Sequence, residues 1–233
     1  ISQKTIQIAG TLESIDKAGR KSEKAYQLSK ASAELKRDME KTLLSNTAAV
    51  TGDASTARKL GGLQAWLNTN YVGAGTAGSN GTTARVSGTD ATFTEAMLKS
   101  AVKKAYEQGG TPTVLMVTPT QKQVVSGFAG IAAQRYMAPN DKATTIVGAA
   151  DVYLSDFGTL SVVPNRFMTA DADDNGEVAF VLDPEYASVA YLRPFATNEL
   201  AKTGDSEKTQ LLVEYTLEVK NEAAHAIIAD LAE

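Results

Sequence analysis

Two stretches of the chain carry residue types and spacings that binding sites use. The first, Gly73, Gly75 and Gly78, matches the dinucleotide-binding pattern G-x-G-x-x-G letter for letter. That site needs a buried strand before the glycines and a helix directly after them, whose N-terminus receives the pyrophosphate. The residues that follow, SNGTTARVSGT, do not favour a helix. We therefore interpret residues 73–89 as a mobile or irregular loop, with a phosphate site as the alternative.

The second stretch has oxygen-bearing side chains at the spacing of a calcium loop. Asp171, Asp173, Asn175 and Gly176 reproduce the first half of an EF-hand loop. The twelfth position, where a bidentate Glu is needed, is Leu182, and neither flank reads as an amphipathic helix. Asp, Asn and Gly also favour tight turns. We predict a hairpin turn between the strands TLSVVPNRF and EVAFVLD, with weak surface cation binding as the alternative.

Residues for nucleophilic or metal chemistry are scarce. The chain has no cysteine, which excludes disulfides and thiolate metal sites, and His225 is its single histidine. A serine-histidine-acid triad would have to recruit His225, and no nucleophile elbow is present. We predict a structural or partly buried imidazole, and no catalytic residue, metal or cofactor.

Charged side chains are concentrated in two places. One group precedes and begins the first long helix: Asp16, Lys17, Arg20, Lys21, Glu23 and Lys24. The other lies near the C-terminus: Lys202, Asp205, Glu207 and Lys208. Each group fits a solvated surface or an ion-pair patch between subunits, and the sequence leaves both interpretations open. The candidate intersubunit contacts are Lys17, Arg20, Lys21, Glu23, Lys202, Asp205, Glu207 and Lys208.

Composition limits the possible partners. The chain has 233 residues, enough for one or two domains, and a net charge of −4, so no global positive field is available to hold nucleic acid. No apolar run approaches the ~20 residues of a membrane span, and no signal peptide opens the sequence. Because the first residue is Ile1 rather than Met, we expect that a preceding segment has been removed by processing or truncation.

The elements that must position these residues begin with a strand around Ile6 and Ile8, which starts so abruptly that it suggests a cut hairpin. A long helix over residues 22–46 follows. Its narrow apolar stripe, which indicates a spine on a domain surface, consists of Leu28, Ala31, Leu35, Met39, Thr42 and Leu43. Two further helices are predicted over residues 54–67 and 94–108, with Thr92 or Thr94 as N-cap of the second and Gly109 ending it.

From Pro112 the pattern mixes strands with one helix, which predicts an α+β fold. The strands are TVLMVTP, VYLSD, TLSVVPN, EVAFVLD and SVAYLRP, and the helix is TQKQVVSGFAG. We expect the last long strand to pack beside the first long helix. Its buried face consists of Leu211, Val213, Tyr215, Leu217 and Val219, and its mostly wet face of Leu212, Glu214, Thr216, Glu218 and Lys220. Beyond Asn221, the run HAIIADL fits either a strand or a short helix.

Several phrases, in order along the chain, resemble the major capsid proteins of tailed bacteriophages with the Hong Kong 97-type fold. They are AGRKSEKAYQLSK, ELKRDME, DFGTLSVVPNRFM, LDPEYASVAYLRPF and LAKTGDSEKTQLLVEYTLEVKNEAAHAII. The resemblance implies a structural protein of the virion that self-assembles into an icosahedral head around viral double-stranded DNA. It also implies that the protein is not an enzyme and that it acts by repeated weak contacts between subunits.

The resemblance further implies a division of the chain. Residues 1–18 would be a remnant of the extended loop, residues 19–111 and 199–233 the peripheral domain with its spine helix and sheet, and residues 112–198 an inserted axial domain. The family's N-terminal arm and the outgoing half of that loop have no counterpart here, so we expect this chain alone to be largely monomeric in dilute solution.

The implied partners are further copies of the chain as pentamers and hexamers, and DNA enclosed without sequence-specific binding. A scaffold, protease, portal or decoration protein would join them during assembly in the host cytoplasm, and no membrane is involved. Two alternative functions also fit the sequence. A tail tube or fibre component would share the acidic, cysteine-free composition, and a nucleotide-binding enzyme would use the Gly73 loop.

Overall fold

The computed structural model describes residues 1–15, 19, 21–128, 151–168 and 177–232. The described chain forms two compact units, residues 1–42 with 189–216, and residues 43–188 with 217–233. Its helices are α1 (Gly10–Ser14), α2 (Glu23–Leu44), α3 (Leu63–Trp66), α4 (Glu95–Glu107) and α5 (Pro119–Ser126). Its strands are β1 (Ser2–Ala9), β2 (Tyr71–Val72), β3 (Val114–Val117), β4 (Val152–Ser155), β5 (Gly158–Pro164), β6 (Ala179–Leu182), β7 (Ala187–Leu200), β8 (Ser206–Val219) and β9 (Ala226–Ile228).

The first unit packs the long helix α2 against a sheet in the order β1, β8, β7. β1 pairs antiparallel with β8, with Lys4 opposite Leu211 and Ile8 opposite Glu207. The apolar stripe of α2 is buried through Ala31, Leu35 and Met39. On β8 the side chains of one face are buried, as expected when that face is covered: Thr209, Leu211, Val213 and Tyr215. Glu214, which was expected on the wet face, is buried too, because it pairs with Arg193 of β7. Lys24 of α2 lies 3.7 Å from Glu207 of β8, so the predicted packing of the last long strand beside the first long helix is observed.

The start of α2 is fixed by two side chains that accept its free backbone N–H groups. The Ser22 hydroxyl accepts from the N–H of Ala25 at 3.2 Å, as an N-cap does. The Glu13 carboxylate accepts from the N–H of Glu23 at 3.0 Å, so a negative charge lies at the positive end of the helix dipole. The predicted helix over residues 22–46 is thus correct to within its end residues, although Thr42 is exposed and bonds the Asp38 carbonyl instead of joining the apolar stripe.

The second unit is built on a sheet in the order β2, β9, β6, β3, β5, β4. β3 runs parallel to β5 and antiparallel to β6, while β9 lies between β2 and β6. One face of the sheet packs on α4 and α5 in a core that includes Leu98, Leu115, Val125 and Leu160. The other face packs on α3 in a cluster that contains Phe180 and Leu67, among others. Both faces of the central strands are therefore covered. The unit combines helices with a sheet of parallel and antiparallel strands, so the predicted α+β class is observed.

Two helices of this unit agree with their sequence signals. α4 begins after Thr94, whose hydroxyl accepts from the N–H of Met97, and the chain turns at Gly109 with φ +85°. α5 begins with Pro119 at its first position after the N-cap Thr118. In both cases a capping residue precedes a run with helical periodicity, and local chemistry decides the boundary.

The predicted helix over residues 54–67 is wrong for most of its length. Only Leu63–Trp66 is helical, and Val50 pairs with Lys59 in an antiparallel bridge. The Asp53 carboxylate accepts from the N–H groups of Ser55 and Thr56, both at 2.7 Å, and holds a turn where the helix was expected. These bonds also lower the pKa of Asp53 to about 2. An Asp that bonds nearby backbone N–H groups competes with helix formation, and Gly61 and Gly62 add to the cost.

The predicted hairpin between TLSVVPNRF and EVAFVLD is also wrong. β5 and β6 are separated in the sheet by β3, so the two strands are not neighbours. The residues that suggested a turn or a calcium loop, Asp171, Asp173, Asn175 and Gly176, lie outside the described part of the chain. Near the C-terminus, a 3₁₀ turn over Glu222–Ala224 precedes β9, so the run HAIIADL contains a strand.

Candidate functional site

The charged residues near the C-terminus lie around the turn that joins β7 to β8. Lys202 Nζ lies 3.0 Å from Glu207 Oε1, and Lys208 Nζ donates to the Thr203 hydroxyl at 2.9 Å. Lys24 of α2 joins them, because its Nζ lies 2.6 Å from Glu199 Oε1 and 3.7 Å from Glu207 Oε2. We name this group the hairpin-turn cluster and define it as Lys24, Glu199, Lys202, Glu207 and Lys208.

The hairpin-turn cluster is open to solvent. The side chains of Glu199 and Lys202 are 79% and 69% exposed. A hydrogen bond to Glu199 raises the pKa of Lys24, and a hydrogen bond from Lys202 lowers the pKa of Glu207. Both shifts favour the charged forms, so Lys24 and Glu207 are charged at neutral pH. Exposed pairs of this kind add little to stability, and their charges stay available to a neighbouring molecule.

The other predicted contact residues occupy different environments. Lys17 and Arg20 lie outside the described residues. Lys21 is exposed just before α2, whereas Glu23 is only 6% exposed and accepts a hydrogen bond from the Gln27 amide at 2.7 Å. Asp205 is exposed in the β7–β8 turn, and its carbonyl accepts from the N–H of Gly10 at 3.1 Å. The structure thus brings Lys202, Glu207 and Lys208 together and places Glu23 in an interior contact.

Exposed apolar side chains form a second type of surface that the sequence did not single out. On the edge strand β4, Val152 and Leu154 are 54% and 64% exposed, while Tyr153 between them is buried. Phe157 in the following turn packs on Tyr106 of α4, with ring centroids 4.8 Å apart. Both faces of β4 are apolar in sequence, so no alternation reveals which face is buried. Exposed apolar residues on an edge strand are a common feature of protein contact surfaces.

β7 presents a similar surface in the first unit. Leu192 is 76% exposed and Tyr191 48% exposed, and β7 is also an edge strand. Arg193 follows Leu192, and the Nε of its half-exposed side chain lies 2.7 Å from Oε2 of Glu214, whose side chain is 11% exposed. Pro194 lacks a backbone donor, which limits unwanted strand pairing at this edge. Each unit therefore carries an apolar edge suited to contact with another molecule.

The glycine-rich loop is organised around a buried carboxylate, that of Asp230. Its two oxygens accept from the N–H of Gly75 at 2.7 Å, the N–H of Gly88 at 2.9 Å and the Tyr71 hydroxyl at 2.8 Å. Arg85 Nη1 lies 2.8 Å from Asp230 Oδ1, and the two side chains are 0% and 1% exposed. We name Tyr71, Gly75, Arg85, Gly88 and Asp230 the Asp230 cluster.

The Asp230 cluster satisfies its charge internally. Burial by itself raises the pKa of Asp230, but the N–H groups of Gly88 and Gly75, the Tyr71 hydroxyl and the Arg85 guanidinium together hold that pKa below its ordinary value. The same burial, with the hydrogen bond to Asp230, raises the pKa of Tyr71 to about 12. Asp230 is therefore ionised and Tyr71 is neutral in the folded protein.

This arrangement explains the glycine spacing without a nucleotide. A Cβ at Gly75 would collide with the carbonyl oxygen of Val86, so Gly75 is required by close backbone approach. The segment after the glycines forms isolated bridges, Thr76 with Val86 and Ser79 with Thr83, and the next helix begins only at Glu95. The expected irregular loop is observed. The helix N-terminus that a dinucleotide site needs is not found in this described stretch.

His225 is fully buried and has a structural contact. Its Nδ1 accepts from the N–H of Asp183 at 3.1 Å, and the Asp183 carboxylate in turn accepts from the N–H of Thr111 at 3.0 Å. Burial lowers the pKa of His225, against the opposing effect of the Tyr186 backbone, Asp183 and Glu222. The imidazole is therefore neutral at pH 7 and anchors the turn after β6.

Within the described ranges, no group of three or more His, Cys, Asp and Glu side chains is arranged to hold a metal ion. None of the helices in that part of the chain is long and apolar enough to cross a membrane.

Comparison with known proteins identifies a family. The family model of the SU10 major capsid protein matches residues 1–232, which is nearly the whole chain. Among curated protein sequences, none is significantly similar to this one.

Solved structures show the same fold at low sequence identity. The holo-SrpI encapsulin complex of Synechococcus elongatus PCC 7942 matches with a TM-score of 0.63 and 10% identity over 99% of this chain and 73% of that one. A chain from Mycobacterium phage Bobi matches with a TM-score of 0.58 and 13% identity over 98% and 70%. The mature capsid of bacteriophage PhiM1 matches with a TM-score of 0.54 and 12% identity over 98% and 70%.

Proposed function

Because the chain belongs to the SU10 major capsid protein family, we propose that its copies assemble as pentamers and hexamers into an icosahedral head that encloses double-stranded DNA. The family and the Hong Kong 97-type fold make the protein a structural component of a capsid shell. The match over residues 1–232 is the single observation that carries the proposal. A shell of identical subunits needs no reacting group, because repeated contacts supply its stability.

The hairpin-turn cluster and the apolar edges of β4 and β7 are the proposed contact surfaces between subunits. Exposed charges such as Lys202 and Glu207 give register and orientation, while apolar residues such as Leu154 and Leu192 supply area to bury. Each contact is weak by itself. It becomes effective only when several contacts form at the same time in one shell.

The division of the chain is also a proposal. Residues 19–111 and 199–233 form the peripheral domain, residues 112–198 the axial domain, and residues 1–18 part of an extended loop. That α2 and β8 belong to one compact unit supports placing them in one domain, while β2 and β9 share the sheet of β3, β5 and β6 in the other unit. A scaffold, protease, portal or decoration protein, and assembly in the host cytoplasm, complete the proposal.

Electron microscopy of negatively stained full-length protein, expressed alone and with a scaffold, tests the proposed assembly. We expect closed icosahedral shells. Tubes would favour a tail component instead, and only monomers and amorphous material under all conditions would contradict the proposal.

A further inference from the structure

The side of α2 that faces away from its sheet carries a row of positive charges. The buried stripe consists of Ala31, Leu35, Met39 and Leu43. At 100° per residue, the opposite side carries residues at spacings of four and three, and all of them are exposed. We name these residues the outer stripe of α2: Tyr26, Lys30, Ala33, Arg37 and Lys41.

The outer stripe has one sign of charge. Over α2, whose residues are all described, the exposed cations are Lys30, Lys36, Arg37 and Lys41, and the exposed acid is Asp38. Asp38 follows Arg37 directly, so it lies about 100° round the helix from it. Glu40 borders the stripe and is half-buried.

Two acidic side chains of α2 contact other groups of the first unit instead. Glu34 pairs with Lys4 of β1, and Glu23 is buried against Gln27. Two acids of this helix thus lie in contacts within the unit, while the cations of the outer stripe, Lys30, Arg37 and Lys41, are exposed. Lys30 lies over the Tyr26 ring at 5.1 Å, a contact that orders the ammonium group without neutralising it.

We propose that the outer stripe of α2 binds the phosphate backbone of the packaged nucleic acid. From Lys30 to Lys41 the stripe is about 16 Å long, and double-stranded DNA carries a phosphate every ~3.4 Å along each strand. Lys and Arg in a row can therefore meet several successive phosphates without reading bases. The whole chain has a net charge of −4, so the attraction is local to this helix. The identity of the polyanion rests on the proposed function, since a capsid shell encloses nucleic acid.

A matched pair of triple variants tests the inference. In the first variant Lys30, Arg37 and Lys41 are replaced by Gln. In the control, Lys59, Lys99 and Lys103 of the second unit, which are also exposed, are replaced by Gln, so both variants lose the same charge. Binding of a short labelled DNA duplex is followed by fluorescence anisotropy across a salt titration, after circular dichroism has verified that both variants fold.

We expect the unaltered protein to bind duplexes of any sequence at low salt. The stripe variant should lose about tenfold or more in affinity, and its slope of log K against log salt should fall by about 2 to 3, since each lost phosphate contact removes about 0.9. The control variant should keep most of the affinity and most of the salt slope of the unaltered protein. Equal binding by the two variants, or no salt-dependent binding by the unaltered protein, overturns the inference.

The same experiment separates other outcomes. If polyglutamate binds with the same dependence on the stripe and duplex DNA does not, the stripe contacts an acidic protein and the inference is wrong. Microscopy of the stripe variant separates this inference from the proposed function. Normal shells without stripe-dependent DNA binding reject only the inference, whereas failure of the unaltered protein to form shells rejects the proposed function.

Discussion

The hairpin-turn cluster and the Asp230 cluster use the same chemical groups in opposite surroundings. In the first, Lys202 and Glu207 pair at 3.0 Å with side chains 69% and 43% exposed. In the second, Arg85 and Asp230 pair at 2.8 Å with side chains 0% and 1% exposed. Water screens the first pair and leaves its charges free to rearrange. The second pair has lost its hydration, so every one of its bonds must be kept. The difference separates a surface that can contact another subunit from an internal anchor of the fold.

The largest expected effect comes from removing the buried acid. Asp230→Ala leaves Arg85 buried without its counter-ion and frees the N–H groups of Gly75 and Gly88. We expect the free energy of unfolding to fall by about 3–5 kcal/mol. Denaturant unfolding followed by the fluorescence of Trp66, the chain's single Trp, measures the loss. A loss below about 1 kcal/mol would mean that the Asp230 cluster is no anchor.

The second effect is a dependence of stability on pH. Burial lowers the pKa of His225 below its ordinary value of 6.5. Protonation would place a hydrogen on Nδ1, which accepts from the N–H of Asp183, so the unfolded chain binds this proton more readily. The contribution of His225 is thus complete above about pH 6.5 and is lost as pH falls below it, by at most about 1.4 kcal/mol per pH unit.

Comparison of unaltered protein with His225→Gln isolates this effect, because the chain has no other histidine. Unfolding curves between pH 7.5 and 5 should converge for the two proteins as pH falls. Parallel curves would show that His225 does not titrate differently in the folded and unfolded states.

The smallest effect on stability is expected in the hairpin-turn cluster. Replacing Lys202 and Glu207 together by Ala should leave the thermal unfolding midpoint within experimental error, because both groups are solvated in the folded and unfolded chains. In the full-length protein the same double variant should lower the yield of shells in the microscope, with Lys103→Ala/Glu107→Ala on α4 as the matched ion-pair control.

A marked loss of folding stability in the hairpin-turn variant would place that cluster with the Asp230 cluster as an internal anchor. Equal shell yields for the hairpin-turn variant and the α4 control would remove Lys202 and Glu207 from the proposed contact surface. The comparison between solvated and buried pairs is therefore tested from both sides.

The sequence predicted elements wherever a local signal and the tertiary packing agree. α2 and α4 have capping residues and uninterrupted helical periodicity, and β8 alternates because one of its faces is covered. The segment over residues 54–67 was misassigned, because its apolar spacing fits a helix while the Asp53 carboxylate stabilises a turn. Side-chain bonds of this kind depend on geometry that periodicity does not describe.

By itself the sequence determined the family, the α+β class, the long helix and the half-buried final strand, since these depend on ordered phrases and residue periods. Only the tertiary structure decided that β3 separates β5 from β6, and that Asp230 meets Gly75 and Gly88 across more than 140 residues. It also decided that Glu23 is buried while Lys202 and Glu207 stay in solvent. The sequence does not distinguish a buried charged residue from an exposed one. Its surroundings are set by packing between segments that are distant in the chain.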